Sequence, residues 1–459
     1  MQKNETFQLY IEDMSVDGEG IGHRDGMTYF VKDAVVGDTI TAGVTKMKKT
    51  YGYARLISIE NPSPYRVKPR CPQAKVCGGC TIQALAYEKQ LKLKEQQVKN
   101  ALRRIAGIPE EEINAAARPV IGMENPYRFR NKAQYPIGED RDGKIVIGYY
   151  AAHSHRIVAC EDCRIGPAVD KKIRKIIKAH MEKNGVRPYN EKTGCGILRH
   201  LLIRRAHFTG EIMTALVTTS QYPQADEVEL LERFKDMLLG LNLEGTLTGI
   251  MHIVNDSTSD VVQSDRTDIL FGRDYIYEEL LGLRFRISVF SFFQTNSQGA
   301  QVLYEKAREY ASNAKGTLYD LYSGTGTIAQ LMSSCVEKVT GVEIVKEASE
   351  AAKENAALNG IRNVEFIADD VLHALDTLDI PDYIILDPPR EGINPKALGK
   401  ILRYGVPDIV YISCKPSSLA RDLQAFRLAG YEMIKVCCVD MFPQTVNTET
   451  VCLLSNRKP

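Results

Sequence analysis

No stretch of the 459-residue chain approaches the roughly 18 consecutive apolar residues that a membrane-spanning helix needs. The first residues are polar and lack the apolar segment of a secretory signal peptide. We therefore expect a cytoplasmic protein with no membrane partner.

The chain also has almost no net charge, since 59 lysines and arginines stand against 58 aspartates and glutamates. This balance argues weakly against a nucleic-acid partner and requires any such surface to be local. Cysteine, by contrast, occurs 11 times. Without a targeting signal, these thiols are expected to bind metal or act in catalysis rather than to form disulfides.

The length predicts about two to three domains. Residues 1–60 contain short alternating strands and glycine-rich turns, a pattern typical of a small β-barrel of the OB type. Lys46, Lys48 and Lys49 lie between the last two of these strands. They form either a solvated loop or an RNA contact.

Residues 61–284 mix helical and extended segments and are predicted as an α+β region. A helix is expected over 81–106, because Leu91, Val98 and Leu102 fall on one stripe. In residues 285–459 strands alternate with helices, which predicts a doubly wound parallel sheet. Its seven expected strands are 317–322, 339–343, 364–368, 383–386, 409–413, 433–439 and 450–454.

A glycine loop at residues 320–327 follows the first of these strands. Its G-x-G-T spacing differs from the G-x-G-x-x-G of loops that bind a pyrophosphate. Glu343 ends the second strand, where an acid binds ribose hydroxyls, and Asp369 ends the third. These positions predict a nucleoside-binding crevice, and S-adenosylmethionine fits it best.

Asp387 begins the sequence Asp-Pro-Pro-Arg after the fourth strand. The two prolines indicate either a rigid strand exit or a carboxylate at the rim of the site. An aromatic residue in place of Arg390 would suggest methylation of an amino nitrogen, and the arginine weakens that interpretation.

Cys414 ends the fifth strand and precedes a helix, whose N-terminus is expected to lower the pKa of the thiol. Glu449 begins the last apolar segment and offers a base. Uracil carbon 5 needs both groups: a thiolate that adds to carbon 6 makes carbon 5 nucleophilic, and a base then removes its proton. The alternative for Cys414 is a small buried apolar residue.

A second group of cysteines comprises Cys71, Cys77 and Cys80, with either Cys160 or Cys163 as a fourth ligand. Zinc sites more often show two C-x2-C pairs, so the grouping of three plus one favours an iron–sulfur cluster over zinc.

Further polar residues have an open interpretation. The amide of Gln294, just before the predicted sheet, could orient a cofactor or base. Two basic groups are either phosphate-binding surfaces or solvated faces. They are Arg128, Arg130 and Lys132, and Arg199, His200, Arg204 and Arg205.

Taken in order, these motifs resemble the bacterial RNA 5-methyluridine methyltransferases of the iron–sulfur type, which modify 23S ribosomal RNA. The likeness covers essentially the whole chain. It implies an N-terminal TRAM barrel (1–60), a central α+β iron–sulfur domain (61–284) and a C-terminal Rossmann-like class I methyltransferase domain (285–459). It also implies that the helix after the cysteine loop packs against the methyltransferase domain. The matching methyltransferase motifs are residues 293–296, 320–327, 343, 387–390, 413–416 and 441–449.

The resemblance implies roles for particular residues. Cys414 is expected to attack carbon 6 of uracil, and Glu449 to remove the proton from carbon 5. Contacts to S-adenosylmethionine are expected from Gln294, Tyr322, Glu343, Asp369 and Asp387. A structural 4Fe–4S cluster is expected on Cys71, Cys77, Cys80 and Cys163, the last favoured over Cys160 by the isoleucine two residues on.

The implied partner is 23S ribosomal RNA, and the enzyme is expected to be a monomer with no obligate protein partner. Three alternatives remain. A transfer-RNA 5-methyluridine enzyme shares the chemistry, although the cysteine loop and barrel argue against it. An amino-group methyltransferase would use Asp387 without needing Cys414. A cluster-containing RNA-binding or redox module would not bind S-adenosylmethionine.

Overall fold

The structure is a computed structural model that describes residues 3–222, 224–258 and 263–457. Its N-terminal part is a six-stranded sheet of order β1-β5-β6-β4-β3-β2. The glycine-rich segment at residues 17–22, which was predicted as a turn, includes the start of a strand. The backbone packs closely there, and a side chain at Gly22 would meet the Tyr10 carbonyl at 2.4 Å. The strands are β1 (Thr6–Tyr10), β2 (Asp13–Met14), β3 (Gly20–Arg24), β4 (Met27–Lys32), β5 (Thr39–Met47) and β6 (Tyr51–Asn61).

The next segment crosses to the C-terminal part of the molecule. Helix α1 (Tyr87–Arg104) begins later than predicted and is followed by α2 (Glu110–Ala116) and β7 (Ala117–Ile121). Val98 and Leu102 of α1 are buried in a core made chiefly of residues after 318. The expectation that this helix packs against the C-terminal part therefore agrees with the structure.

The central region is a seven-stranded sheet of order β10-β9-β8-β11-β12-β13-β14. Its pairings are antiparallel except for β12 with β13, which are parallel. Ile173, Ile177, Phe234 and Leu238 of its two helices are buried in a core shared with the sheet. The elements are β8 (Lys132–Glu139), β9 (Ile145–Tyr150), β10 (Ile157–Ala159), α3 (Val169–Lys183), β11 (Leu198–Arg205), β12 (Glu211–Thr218), α4 (Gln224–Leu239), β13 (Thr246–Val254) and β14 (Arg266–Gly272).

Three arginines of the two basic groups fit neither of the alternatives, a phosphate-binding surface or a solvated face. Arg128 precedes the strand, with φ of +57°, and donates hydrogen bonds to Asp162 and to the Cys163 carbonyl. Arg199 and Arg204 are buried and donate to the backbone carbonyls of Asn255 and Val289. These guanidinium groups join segments of the protein and do not form phosphate-binding faces.

A hairpin leads into an eight-stranded sheet of order β19-β18-β17-β20-β21-β23-β22-β7. The seven predicted strands are all present, and β7 adds an eighth, parallel to β22. The elements are β15 (Tyr275–Leu280), β16 (Leu283–Ser288), α5 (Ser297–Tyr310), β17 (Thr317–Leu321), α6 (Thr327–Met332), β18 (Lys338–Glu343), α7 (Lys346–Leu358), β19 (Val364–Ala368), α8 (Val371–Ala374), β20 (Tyr383–Leu386), α9 (Pro395–Tyr404), β21 (Asp408–Ser413), α10 (Pro416–Ala429), β22 (Tyr431–Val439) and β23 (Glu449–Asn456).

Two apolar cores cover the two faces of this sheet. One contains residues of α5, α6 and α7, and the other contains residues of α1, α9 and α10. Strand β23 runs antiparallel to β21, so its first residues lie at the edge at which the parallel strands end. In the part of the chain described, no helix is long and apolar enough to cross a membrane.

Candidate active site

A cleft of about 1550 Å³ opens at the carboxyl ends of the parallel strands. This edge is where ligands bind in doubly wound sheets. Six of the predicted site residues line it: Gln294, Tyr322, Glu343, Asp387, Cys414 and Glu449.

The glycine loop forms one wall of the cleft. The Gly324 amide donates to Glu343 at 2.9 Å, and the other carboxylate oxygen accepts from Val345 at 2.9 Å. Gly326 has φ of +72°, and a side chain there would meet the Phe366 ring at 2.5 Å. The carboxylate of Glu343 is therefore fixed at the end of β18, with the glycine loop folded tightly beside it.

Asp369 lies outside the residues that line the cleft, whereas Asp370 lines it. The Asp370 carboxylate accepts from the Leu372 amide at 2.8 Å and caps α8. The sequence indicated an acid at the end of the third strand but did not separate two adjacent aspartates. Phe442 and Asn447 also line the cleft, although no pattern in the sequence singled out either position for this role.

Gln294 lies at the mouth of the cleft and is held through its backbone, whose carbonyl accepts from the Asn131 side chain at 2.9 Å. Of the two aromatic residues before it, Phe293 is buried and Phe292 is 70% exposed. Within this motif, Phe293 is thus a core residue and Gln294 lines the cleft.

Strand pairing brings Cys414 and Glu449 together. Ser413 of β21 pairs with Thr450 of β23. Continuing that register by one residue sets Cys414 opposite Glu449, and residues opposite each other in an antiparallel pair project to the same side. Two side chains that are 35 positions apart in the sequence therefore face one cleft.

The predicted lowering of the Cys414 pKa is wrong for the free protein. The pKa of this thiol is raised to about 11, chiefly by burial and then by the neighbouring Glu449 and Asp387 carboxylates, against a smaller opposing effect of Arg390. The start of α10, at Pro416, does not offset these effects.

The carboxyl groups of the cleft are also shifted. Burial raises the pKa of Asp387 to about 7. Burial, with the charge of Asp387, raises the pKa of Glu449 well above its usual range, and the same two causes raise the pKa of Asp320. A ligand that brings positive charge into the cleft would favour the ionised forms of these groups.

Cys71, Cys77, Cys80, Cys160 and Cys163 line a second, smaller cavity. The loop of the first three is held to the end of β9, because the Gly78 amide donates to the Tyr150 carbonyl at 3.0 Å. A hydrogen bond from Cys160 lowers the pKa of Cys163 to about 5. Within residues 3–222, 224–258 and 263–457, no three histidine, cysteine, aspartate or glutamate side chains are placed to share one metal ion.

The comparisons with known proteins agree with this geometry. A family model described as tRNA (Uracil-5-)-methyltransferase matches residues 255–457. An RNA methyltransferase of Clostridium acetobutylicum is 42% identical over 100% of this chain and 99% of its own. One of Clostridium tetani is 38% identical over 98% of each chain.

A solved structure shares the whole fold. It is the tRNA (uracil-54, C5)-methyltransferase of Pyrococcus abyssi in complex with S-adenosyl-L-homocysteine. It aligns with a TM-score of 0.77 and 26% identity, over 98% of this chain and 100% of that one. The chain therefore belongs to the RNA (uracil-5-)-methyltransferase family and is an S-adenosylmethionine-dependent enzyme.

Proposed function

We propose that this enzyme methylates carbon 5 of a uridine through a covalent bond between Cys414 and carbon 6. The observation that carries the proposal is the register of β21 and β23, which sets Cys414 opposite Glu449 at the floor of one cleft. A nucleophile and a base at that spacing suit a reaction that must both activate carbon 5 and remove its proton.

The Cys414 thiol gives up its proton to solvent and the thiolate adds to carbon 6, and the electron pair of the C5–C6 double bond moves to carbon 5 and onto the carbonyl oxygen of the adjacent carbon 4. S-adenosylmethionine, when bound, supplies an electrophilic methyl group, which carbon 5 takes as the methyl–sulfur bond breaks. Glu449 then accepts the carbon 5 proton. The C5–C6 double bond re-forms, and Cys414 leaves as a thiolate.

The donor site is proposed to include Gln294, Tyr322, Glu343 and Asp387. All four line the cleft, and Glu343 is held beside the glycine loop. The Pyrococcus abyssi structure contains S-adenosyl-L-homocysteine, the demethylated form of the donor. Asp369 stays in the proposal as a residue that orders the end of β19, since its carboxylate accepts from the Asp370 amide at 2.7 Å.

The proposed RNA is 23S ribosomal RNA, on the basis of the motifs. Transfer RNA is a specific second candidate. The argument that the barrel and cysteine loop disfavour it is weakened, because the Pyrococcus abyssi transfer-RNA enzyme aligns over 100% of its length.

The substrate is tested by incubating the enzyme and labelled donor with unmodified 23S RNA and transfer RNA side by side. Nucleoside mass spectrometry then identifies the product. Label in 5-methyluridine of 23S RNA supports the first candidate, and label in transfer RNA supports the second. Label in an N-methylated base contradicts the chemistry itself.

We also propose that Cys71, Cys77, Cys80 and Cys163 hold a 4Fe–4S cluster. The fit rests on the thiols of these four residues around one cavity, because cysteine sulfurs are the ligands of such clusters. In a cluster each thiolate binds a different iron, so the sulfurs need not converge on one ion as they do in a zinc site.

Iron and sulfide analysis of anaerobically purified protein tests this assignment. Replacement of Cys80 by serine should remove the iron, whereas replacement of the exposed Cys195 should retain it. Zinc in place of iron and sulfide would contradict the proposal.

The N-terminal sheet is proposed as a TRAM-type RNA contact. Phe30, Tyr51 and Tyr53 form a group of partly exposed rings with centroids 5.7–5.8 Å apart. Aromatic faces beside a basic loop suit single-stranded RNA, whose bases stack while its phosphates are neutralised.

A further inference from the structure

The loop that precedes Glu449 is held by hydrogen bonds to residues far away in the sequence. Residues 440–448 join β22 to β23 and end just before Glu449, the first residue of β23. We call them the base-carrying loop. Phe442 and Asn447 line the cleft. The loop also makes hydrogen bonds with α1 and with the segment that precedes α1.

Lys94 of α1 anchors the start of the loop. Its side chain is entirely buried, with Nζ 2.5 Å from the Asp440 carboxylate. The same nitrogen donates to the Phe442 carbonyl at 3.0 Å. The Tyr87 hydroxyl, about two turns earlier on the same face of α1, donates to the other Asp440 oxygen at 2.8 Å.

Gln444 is fixed in the middle of the loop. It is buried, with φ of +70°, a conformation that a non-glycine residue keeps only when its surroundings hold it. The side-chain oxygen of Gln444 accepts from the Gln90 side-chain nitrogen at 3.0 Å. The Gln444 backbone amide donates to the Gln90 side-chain oxygen at 3.1 Å. The Thr81 amide donates to the Gln444 carbonyl at 3.0 Å.

A buried ion pair adds little net stability, because removing both charges from water offsets most of their attraction. The pair of Lys94 and Asp440 does fix geometry, since Lys94 also donates to the Phe442 carbonyl and Asp440 also accepts from Tyr87. Helix α1 is itself anchored in the core of the eight-stranded sheet through Val98 and Leu102. The loop is thus tied to the same rigid body that carries Cys414.

We propose that Lys94, Tyr87 and Gln90 are positioning residues for proton abstraction, holding the base-carrying loop so that Glu449 reaches the carbon 5 proton. This inference rests on the proposed role of Glu449. None of the three side chains lines the cleft. Their effect is expected at the step that follows methyl transfer, because that is the step at which Glu449 acts.

Two RNA substrates separate that step from the earlier ones. Fluorine at carbon 5 of uridine cannot leave as a cation, so 5-fluorouridine RNA stops the reaction at the methylated adduct and reports only addition and methyl transfer. Uridine RNA carrying tritium at carbon 5 reports removal of the proton. Both RNAs are used with saturating S-adenosylmethionine and with the full-length enzyme containing its cluster.

Lys94→Met and Gln90→Met are the test variants, and Gln90→Met keeps the ion pair in case Lys94→Met does not fold. Each should form the 5-fluorouridine adduct at nearly the parent rate. Tritium release should fall by about tenfold or more, since misplacing a catalytic group by about 1 Å costs up to about 10²-fold. A methylated protein–RNA adduct should accumulate on uridine RNA.

Lys99→Met is the matched control, because Lys99 also lies on α1 and pairs with Glu95 at 2.9 Å but belongs to a surface pair. It should leave both rates unchanged. The inference is overturned if folded Lys94→Met and Gln90→Met release tritium at the parent rate, or if both rates fall by one factor. Failure of the parent enzyme to form the 5-fluorouridine adduct would instead overturn the proposed role of Cys414.

Discussion

At the scale of single residues, the cleft of the free enzyme disfavours the ionised forms of its reactive groups. Burial raises the pKa of Cys414 to about 11, that of Asp387 to about 7, and that of Glu449 well above its usual range. Arg390 is the cation that opposes these shifts at Cys414 and Glu449. The sulfonium charge of the donor would favour the ionised forms, so donor binding is expected to prepare both the nucleophile and the base.

The raised thiol pKa predicts slow alkylation of Cys414 by iodoacetamide in the absence of donor. The thiolate reacts, and well below the pKa its fraction grows about tenfold for each pH unit, so the rate should rise steadily between about pH 6 and 9. Peptide mass spectrometry measures the modified fraction, with the exposed Cys195 as an internal control. A rate that is already level across this range would show that the thiolate forms without donor.

Asp387 is predicted to cost stability at neutral pH. Its pKa rises from 3.8 in the unfolded reference to about 7 in the folded protein. The folded state therefore keeps a proton that the unfolded chain has lost, and the free energy of unfolding falls as pH rises through that interval. Asp387→Asn should remove this slope and add up to about 4 kcal/mol of stability above pH 7, at about 1.4 kcal/mol for each pKa unit, while impairing activity.

Chemical denaturation of the parent and Asp387→Asn at acidic and alkaline pH measures this difference. Asp376→Asn, at an exposed carboxylate that pairs with Lys400, is the control and should not change the slope. Equal stability of the parent and Asp387→Asn above pH 7 would contradict the raised pKa.

At the scale of elements, apolar runs in the sequence were sufficient to predict the sheet that carries the site. Buried parallel strands read as continuous apolar segments, and the residue after each segment lies at the ligand-binding edge. Glu343, Asp387 and Cys414 were located in this way. Gln294 precedes the sheet, Glu449 begins its last strand, and Tyr322 was indicated only by the resemblance.

Strand β7 could not be predicted to join this sheet. Its partner β22 lies more than 300 residues away, and nothing in a five-residue strand specifies so distant a pairing. The buried Lys94 was missed for the same reason. A lysine on a helix is ordinarily solvated, and only the tertiary contact with Asp440 gives it a role.

Helix α1 is predicted to contribute to the stability of the methyltransferase sheet. Leu102 is fully buried in the core with α10, whereas Ile105, three residues on, is 41% exposed. Leu102→Ala should lower the free energy of unfolding by about 2–5 kcal/mol, and Ile105→Ala by much less. Chemical denaturation in the presence of donor measures the free energy of unfolding of both variants. Equal losses in the two variants would contradict the packing of α1.

At the scale of the whole molecule, one junction joins three parts of the chain. Met14 and Val35 of the N-terminal sheet pack with Ile82, which follows the cysteine loop, and with Leu93 of α1. Val446 of the base-carrying loop packs against the same group. The proposed RNA-binding, cluster and catalytic regions are therefore in direct contact.

The basic segment at the end of β5 is predicted to contribute electrostatic affinity for RNA. Lys46 was expected between two strands but lies within β5, and only Lys48 and Lys49 follow that strand. Replacing Lys46, Lys48 and Lys49 by alanine should weaken RNA binding and reduce the slope of log affinity against log salt by about 2, at about 0.7 for each phosphate that is no longer neutralised. Affinity for the donor should not change, since none of the three lines the cleft. Filter binding at several salt concentrations measures the slope, and an unchanged slope would place the RNA elsewhere.

The central claim is that Cys414 bonds to the uridine and that Glu449 is needed to release it. The most direct measurement is mass spectrometry of the Cys414 peptide after Glu449→Gln reacts with unmodified RNA and donor. We predict a peptide carrying a methylated uridine nucleotide, absent when Cys414→Ala is added to the same variant. Methylated RNA formed with no nucleotide on Cys414, or methylation retained by Cys414→Ala alone, would contradict the account.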